Sequence, residues 1–85
     1  MAQPNTARAD RLHALFIRNA RRFADAAFAA RRANDQLEAI TPSHSSWAAL
    51  RGVQMRSTAQ MAHLNARSIK LARAEIAAAI GVRNA

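Results

Sequence analysis

The chain has 85 residues and no cysteine, so it forms at most one small domain, with neither disulfides nor thiolate metal ligands. Its 23 alanines, against two glycines and two prolines, favour helix and argue against a sheet. The net charge of +8 argues against a cationic partner and favours a polyanion, such as nucleic acid, an anionic membrane surface or an acidic protein.

The first predicted element is a long helix over residues 6–40. Residues 1–5 are a short lead-in, and Asn5 or Thr6 supplies the capping side chain. Within the helix, large apolar residues and alanines recur in alternating steps of four and three, a heptad seam that keeps one stripe against a partner helix. The seam consists of Leu12, Phe16, Asn19, Phe23, Ala26, Ala30, Ala33, Leu37 and Ile40. Its one polar member, Asn19, either fixes the register from a buried position or faces solvent.

A turn at residues 41–46 and a second helix over residues 46–80 follow. Pro42 disfavours helical geometry at the preceding residue, and Ser45 or Ser46 caps the next helix. Gly81 stands where a glycine ends a helix, while Gly52 either permits a close helix crossing or divides the second helix. Two helices of nearly equal length predict an all-α antiparallel hairpin that fills a single domain, residues 1–85.

The second helix carries two apolar lines. One consists of Trp47, Leu50, Gln54, Ser57, Met61, Leu64, Ser68, Leu71, Glu75 and Ala78. The other consists of Met55, Ala59, Ala62, Ala66, Ile69, Arg73, Ile76 and Ile80. Together they are wider than one partner helix covers, and such excess apolar surface is typical of an interface.

Two apolar residues of the first helix, Ile17 and Phe28, also lie away from its seam. This excess predicts a homodimer that forms a four-helix bundle, with a partner protein on the same face as the alternative. The candidate residues for the partner or oligomer interface are Leu12, Phe16, Ile17, Asn19, Phe23, Phe28, Trp47, Met55, Ile69 and Ile76.

Basic residues form strips on both helices. The second helix is the better polyanion surface, because residues 41–85 carry six cations against one acid, Glu75. The candidate polyanion-binding residues are Arg56, His63, Arg67, Lys70, Arg18, Arg21 and Arg22. Phosphate contacts from such strips give salt-sensitive binding with little sequence preference. The alternative is a solvated face that keeps an alanine-rich helix soluble.

Catalysis is not expected. The three histidines lie on different elements without converging carboxylates, and no glycine-rich phosphate loop is present. We therefore expect no enzyme activity, no cofactor and no metal. The chain has neither an apolar run of about 20 residues for a membrane span nor the apolar core of a secretory signal, so we expect a cytoplasmic protein.

The leading functional hypothesis is a non-enzymatic basic helical protein that binds a polyanion, above all nucleic acid. A small accessory or inhibitor protein, of the kind that phages and mobile elements encode, is the alternative. It would dock on a host protein through a face built around Ile17, Phe28 and Trp47. A structural component of a larger assembly is a third possibility.

Overall fold

The fold is a hairpin of two long helices in a computed structural model that describes residues 4–81. Helix α1 spans Thr6–Glu38 and helix α2 spans Trp47–Ile80, with residues 39–46 as the turn and no strand in the described range. The molecule measures 65 × 19 × 13 Å. The all-α antiparallel hairpin is confirmed, with α1 two residues shorter and α2 one residue shorter than predicted.

The helix ends follow the capping chemistry of the sequence at two of three predicted places. Asn5 caps α1, because its side-chain oxygen accepts a hydrogen bond from the backbone N–H of Arg8 at 2.9 Å. Gly81 ends α2 in the left-handed conformation, with φ 76° and its N–H bonded to the carbonyl of Ala77.

The predicted serine cap of α2 is wrong. Ser46 occupies the capping position, but its hydroxyl makes no capping hydrogen bond, since its backbone is helical rather than extended (φ −89°, ψ −6°). Nδ1 of His44 accepts a hydrogen bond from the N–H of Ser46 at 3.0 Å, which holds the turn rather than the first amides of α2. A backbone bond of 2.9 Å from His44 to the carbonyl of Thr41 tightens the same turn.

The heptad seam of α1 is the face that packs on α2. Eight of its nine members lie on α1 and Ile40 lies in the turn that follows. All nine are buried or half-buried, and Ala9 extends the line by one step towards the N-terminus. Ala26 and Ala33 are among the most deeply buried residues, with 5% and 2% of their surfaces exposed. Small side chains in the middle of the seam let the two helices approach closely there.

Asn19 fixes the register of the two helices. Its side chain is 4% exposed, and its Nδ2 donates to the carbonyl of Leu64 and to the hydroxyl of Ser68, both at 2.7 Å. These bonds use both hydrogens of the amide, so no donor is left unpaired inside the seam. Of the two interpretations of Asn19, the buried one is therefore confirmed.

Of the two apolar lines on α2, the one from Trp47 to Ala78 faces α1. Every member of that line is buried or half-buried, whereas every member of the line from Met55 to Ile80 is exposed. Gly52 does not divide the helix, which continues unbroken from Trp47 to Ile80. The hairpin therefore has one seam inside and a second apolar line outside.

Candidate functional site

Three arginines from the two helices surround one small pocket. Arg18 and Arg22 lie one turn apart on α1, and Arg67 approaches from α2. The pocket has a volume of about 110 Å³, and Leu15 and Asn19 complete its lining. The structure thus brings three of the seven predicted polyanion-binding residues to one place.

The register bond of Asn19 positions these arginines. Asn19 directly follows Arg18, and its hydrogen-bond partner Ser68 directly follows Arg67. Because the same side chain also bonds the carbonyl of Leu64, α2 cannot slide along α1 without breaking both contacts. The axial position of Arg67 relative to Arg18 and Arg22 is therefore set by a buried polar contact between the two helices.

The pocket is electropositive. No carboxylate lines it, and the one contact between a basic side chain and a carboxylate within residues 4–81 joins Nδ1 of His13 to Oε1 of Glu75 at 2.9 Å, away from the pocket. Each guanidinium presents five N–H donors in a planar fork that fits phosphate or carboxylate oxygens. Three such groups around one pocket are suited to an anion with several oxygens, and a phosphate group meets that requirement.

Two further cations, with a histidine between them, extend the positive surface along α2. Arg56, His63 and Lys70 are exposed and follow one another at intervals of seven residues, or about 10 Å. They lie along one side of the helix without lining the pocket. Arg21 also lies apart, because helical geometry places it on the outer face of α1 with Ile17.

The candidate interface residues fall into two groups. Leu12, Phe16 and Phe23 are half-buried and belong, with Asn19, to the seam inside the hairpin. The remaining ones are exposed apart from Trp47, which is half-buried. The exposed fractions are 39% for Ile17, 66% for Phe28, 59% for Met55, 47% for Ile69 and 60% for Ile76.

Trp47 does not join Ile17 and Phe28 in one face. It lines an open groove of about 420 Å³ near the turn, with Leu37 and Glu38 among the other lining residues. Along α1, Leu37 is nine residues beyond Phe28, a distance of about 13 Å. The three residues of the accessory-protein hypothesis are therefore spread over two surfaces.

Sequence reasoning missed Leu15, which is 36% exposed and lines the arginine pocket. A signal for it was present, since Leu15 stands one helical turn before Asn19 and seven residues before Arg22, beside the seam. It also missed the contact of His13 with Glu75, because 62 positions separate these residues in the sequence.

Within residues 4–81, no three His, Asp or Glu side chains come together as metal ligands, and no helix is long and apolar enough to cross a membrane. No protein family, curated protein or solved structure was found to match the chain.

Proposed function

We propose that this chain is a non-enzymatic nucleic-acid-binding protein that contacts the phosphate backbone through Arg18, Arg22 and Arg67. The observation that supports this is the pocket that the three arginines share, with no carboxylate in its lining. Arg56, His63 and Lys70 extend the contact along α2. The protein works as a homodimer, and a cytoplasmic location is part of the same proposal.

Nucleic acid is the partner that we favour among polyanions because phosphates recur at regular short intervals along it. A strip that runs along α2 and continues into the pocket offers several cations to such a repeating ligand. Binding of this kind releases counterions and depends steeply on salt, with little preference for base sequence. The protein supplies no aromatic platform within this strip, so base stacking contributes little.

The test is binding of the full chain to fluorescent single-stranded and duplex DNA and RNA, starting at about 50 mM salt. A variant with Arg18→Gln, Arg22→Gln and Arg67→Gln should bind much more weakly. For single strands, the slope of log affinity against log salt should decrease in magnitude by about 2, since each lost phosphate contact contributes about 0.7.

A matched control separates the pocket from net charge. Arg21→Gln, Arg31→Gln and Arg51→Gln also remove three positive charges, but from residues that do not line the pocket. The control should keep most of the salt slope. An equal loss in both triple variants, or no binding to any nucleic acid at low salt, would contradict the proposal. Capture of a host protein by the wild-type chain, without nucleic-acid binding, would favour the accessory-protein alternative.

A further inference from the structure

The exposed apolar line of α2 is a second heptad seam with no helix packed on it. Its members alternate in steps of four and three, as those of the inner seam do, and all of them are exposed. Ile69, Ile76 and Ile80 are 47%, 60% and 62% exposed, and Met55 is 59% exposed. Helix α1 occupies the other side of α2, so within residues 4–81 nothing covers this line, and its heptad spacing suits a second helix.

Side-chain size is distributed unevenly along this outer seam. The half nearer the turn consists of Met55 followed by three alanines, and the other half carries the bulky residues. In chain order the outer seam is Met55, Ala59, Ala62, Ala66, Ile69, Arg73, Ile76 and Ile80. A helix with alanines in one half and large side chains in the other is complementary in shape to its own reverse.

Antiparallel pairing with a second copy matches large side chains to small ones in all six central layers. In these layers Ile69, Arg73 and Ile76 face Ala66, Ala62 and Ala59 of the second copy, in that order. At each end of the contact, Met55 of one copy meets Ile80 of the other. Parallel pairing instead sets isoleucine on isoleucine and alanine on alanine, and brings the two Arg73 side chains together. In the antiparallel arrangement every central layer holds one large and one small side chain, so the helices can pack at a constant separation. This favours antiparallel over parallel pairing.

The size of this contact indicates a reversible dimer. The outer seam covers 26 residues, or about 39 Å of helix, and a strip about 10 Å wide gives roughly 400 Å² per copy in projection. Lasting dimers bury about 800 Å² per partner, so this contact belongs to the weaker class.

The charges beside the outer seam also indicate a weak, reversible dimer. Arg56, His63 and Lys70 border it on one side, and antiparallel pairing brings this border next to the same border of the second copy. In this register Arg56 lies opposite Ala79, whereas the two Lys70 side chains lie about 8 Å apart along the axis, and their repulsion weakens the dimer. An acidic helix would satisfy the charges better, but the outer seam is complementary in size to its own reverse, which favours a second copy.

We propose that two copies of this chain associate antiparallel through the outer seam of α2, with Ile76 seated on Ala59 and Ile69 on Ala66 of the second copy. This deepens the dimer in the proposed function by naming its surface and direction. It does not depend on nucleic-acid binding, which the arginine variants test separately.

Cross-linking tests the direction of pairing, because the chain has no cysteine of its own. Ala62→Cys mixed with Arg73→Cys should form a cross-linked pair with a short bismaleimide. Arg73→Cys alone should not, since the two sites lie roughly 16 Å apart in an antiparallel dimer. Cross-linking of Arg73→Cys with itself at equal yield would overturn the antiparallel arrangement.

A size exchange within one layer tests the surface. Ala59→Ile and Ile76→Ala should each weaken the dimer by about tenfold or more, as each disturbs a layer that occurs twice. The double variant restores one large and one small side chain per layer and should return to within about threefold of wild type. Sedimentation equilibrium of the full chain from micromolar to millimolar concentration measures the dimer dissociation constant of the wild type and of each variant.

The control is Phe28→Ala, which shortens an exposed residue on α1 and should leave dimerisation unchanged. Additive losses in the double variant would overturn the proposal, and so would a wild-type chain that stays monomeric throughout. Circular dichroism of each variant shows whether the hairpin is intact, as expected for substitutions at exposed positions.

Discussion

Asn19 links stability to the candidate binding site. It is the most deeply buried polar residue of the hairpin, at 4% exposed, and its two hydrogen bonds of 2.7 Å cross from α1 to α2. An apolar residue in its place would fill the same seam position, but it would leave the two helices free to shift along each other. The polar residue therefore specifies one register, as a single asparagine does in coiled coils.

Asn19→Ala should destabilise the protein by about 1–3 kcal/mol, because it removes two buried hydrogen bonds and leaves a cavity. Urea unfolding followed by circular dichroism measures this change. Asn65→Ala is the matched control, since Asn65 is exposed on α2 and should contribute less than about 0.5 kcal/mol. Equal losses in the two variants would mean that the cross-helix bonds of Asn19 contribute little to stability.

At the scale of the helices, the sequence predicted the hairpin and the inner seam because the hydrophobic period is a local property of each chain segment. It did not predict which apolar line of α2 faces α1, since both lines follow the heptad pattern. It also left open the axial register. A slip of one heptad keeps both seams facing each other, yet it moves Arg67 by about 10 Å away from Arg18 and Arg22.

The arginine pocket could not be predicted for this reason. The seven basic residues were visible as strips, but their convergence depends on the register that Asn19 sets with Ser68 and Leu64. The missing serine cap has a similar cause. Residue type favoured a cap at Ser46, but the turn holds its backbone in a helical conformation, which only the folded turn reveals.

Gly52 is a weak point of α2 that the fold does not require. A Cβ atom there would lie 3.0 Å from Nη1 of Arg56, the mobile end of a long side chain, so Gly52→Ala needs only a shift of that guanidinium. We expect the substitution to stabilise the protein by up to about 1 kcal/mol through helix propensity. Thermal unfolding would show this as a higher Tm.

Gly81→Ala provides the contrast, because Gly81 has φ 76° and alanine is strained in that conformation. It should destabilise the protein by about 1 kcal/mol or more. If Gly52→Ala lowers the Tm, as Gly81→Ala should, then helix propensity is not what limits stability at position 52.

At the scale of the whole molecule, two binding equilibria share one basic border. Arg56, His63 and Lys70 extend the proposed nucleic-acid contact and also flank the proposed dimer seam. Nucleic acid would neutralise the charges that oppose dimerisation, so the two equilibria should support each other. Binding of one ligand that strengthens a second interaction in this way is reciprocal by thermodynamic linkage.

Salt should act on the two equilibria in opposite directions. Raising salt from about 50 to 200 mM should weaken nucleic-acid binding by roughly tenfold or more. The same change should strengthen the dimer of the protein alone by about threefold, because it screens the repulsion between two chains that each carry a net charge of +8. Sedimentation without nucleic acid and anisotropy with it measure the two effects on the same samples.

Lys70→Gln tests both effects at a single residue, because Lys70 belongs to the nucleic-acid contact and also borders the dimer seam. It should strengthen self-association at low salt, since one repelling charge per copy is lost, and it should weaken nucleic-acid binding. A dimer that weakens as salt rises would show that attraction between opposite charges, rather than the outer seam, holds the two copies together.

The two ends of the described chain lie side by side, where the backbone N–H of Asn5 donates to the carbonyl of Ala78 at 2.9 Å. Tension applied through these ends would therefore break the contacts between the helices one after another rather than all at once. The helices would separate like a zipper from this end towards the turn. Resistance would rise at Asn19, where two short hydrogen bonds must break together before the alanine-lined section opens.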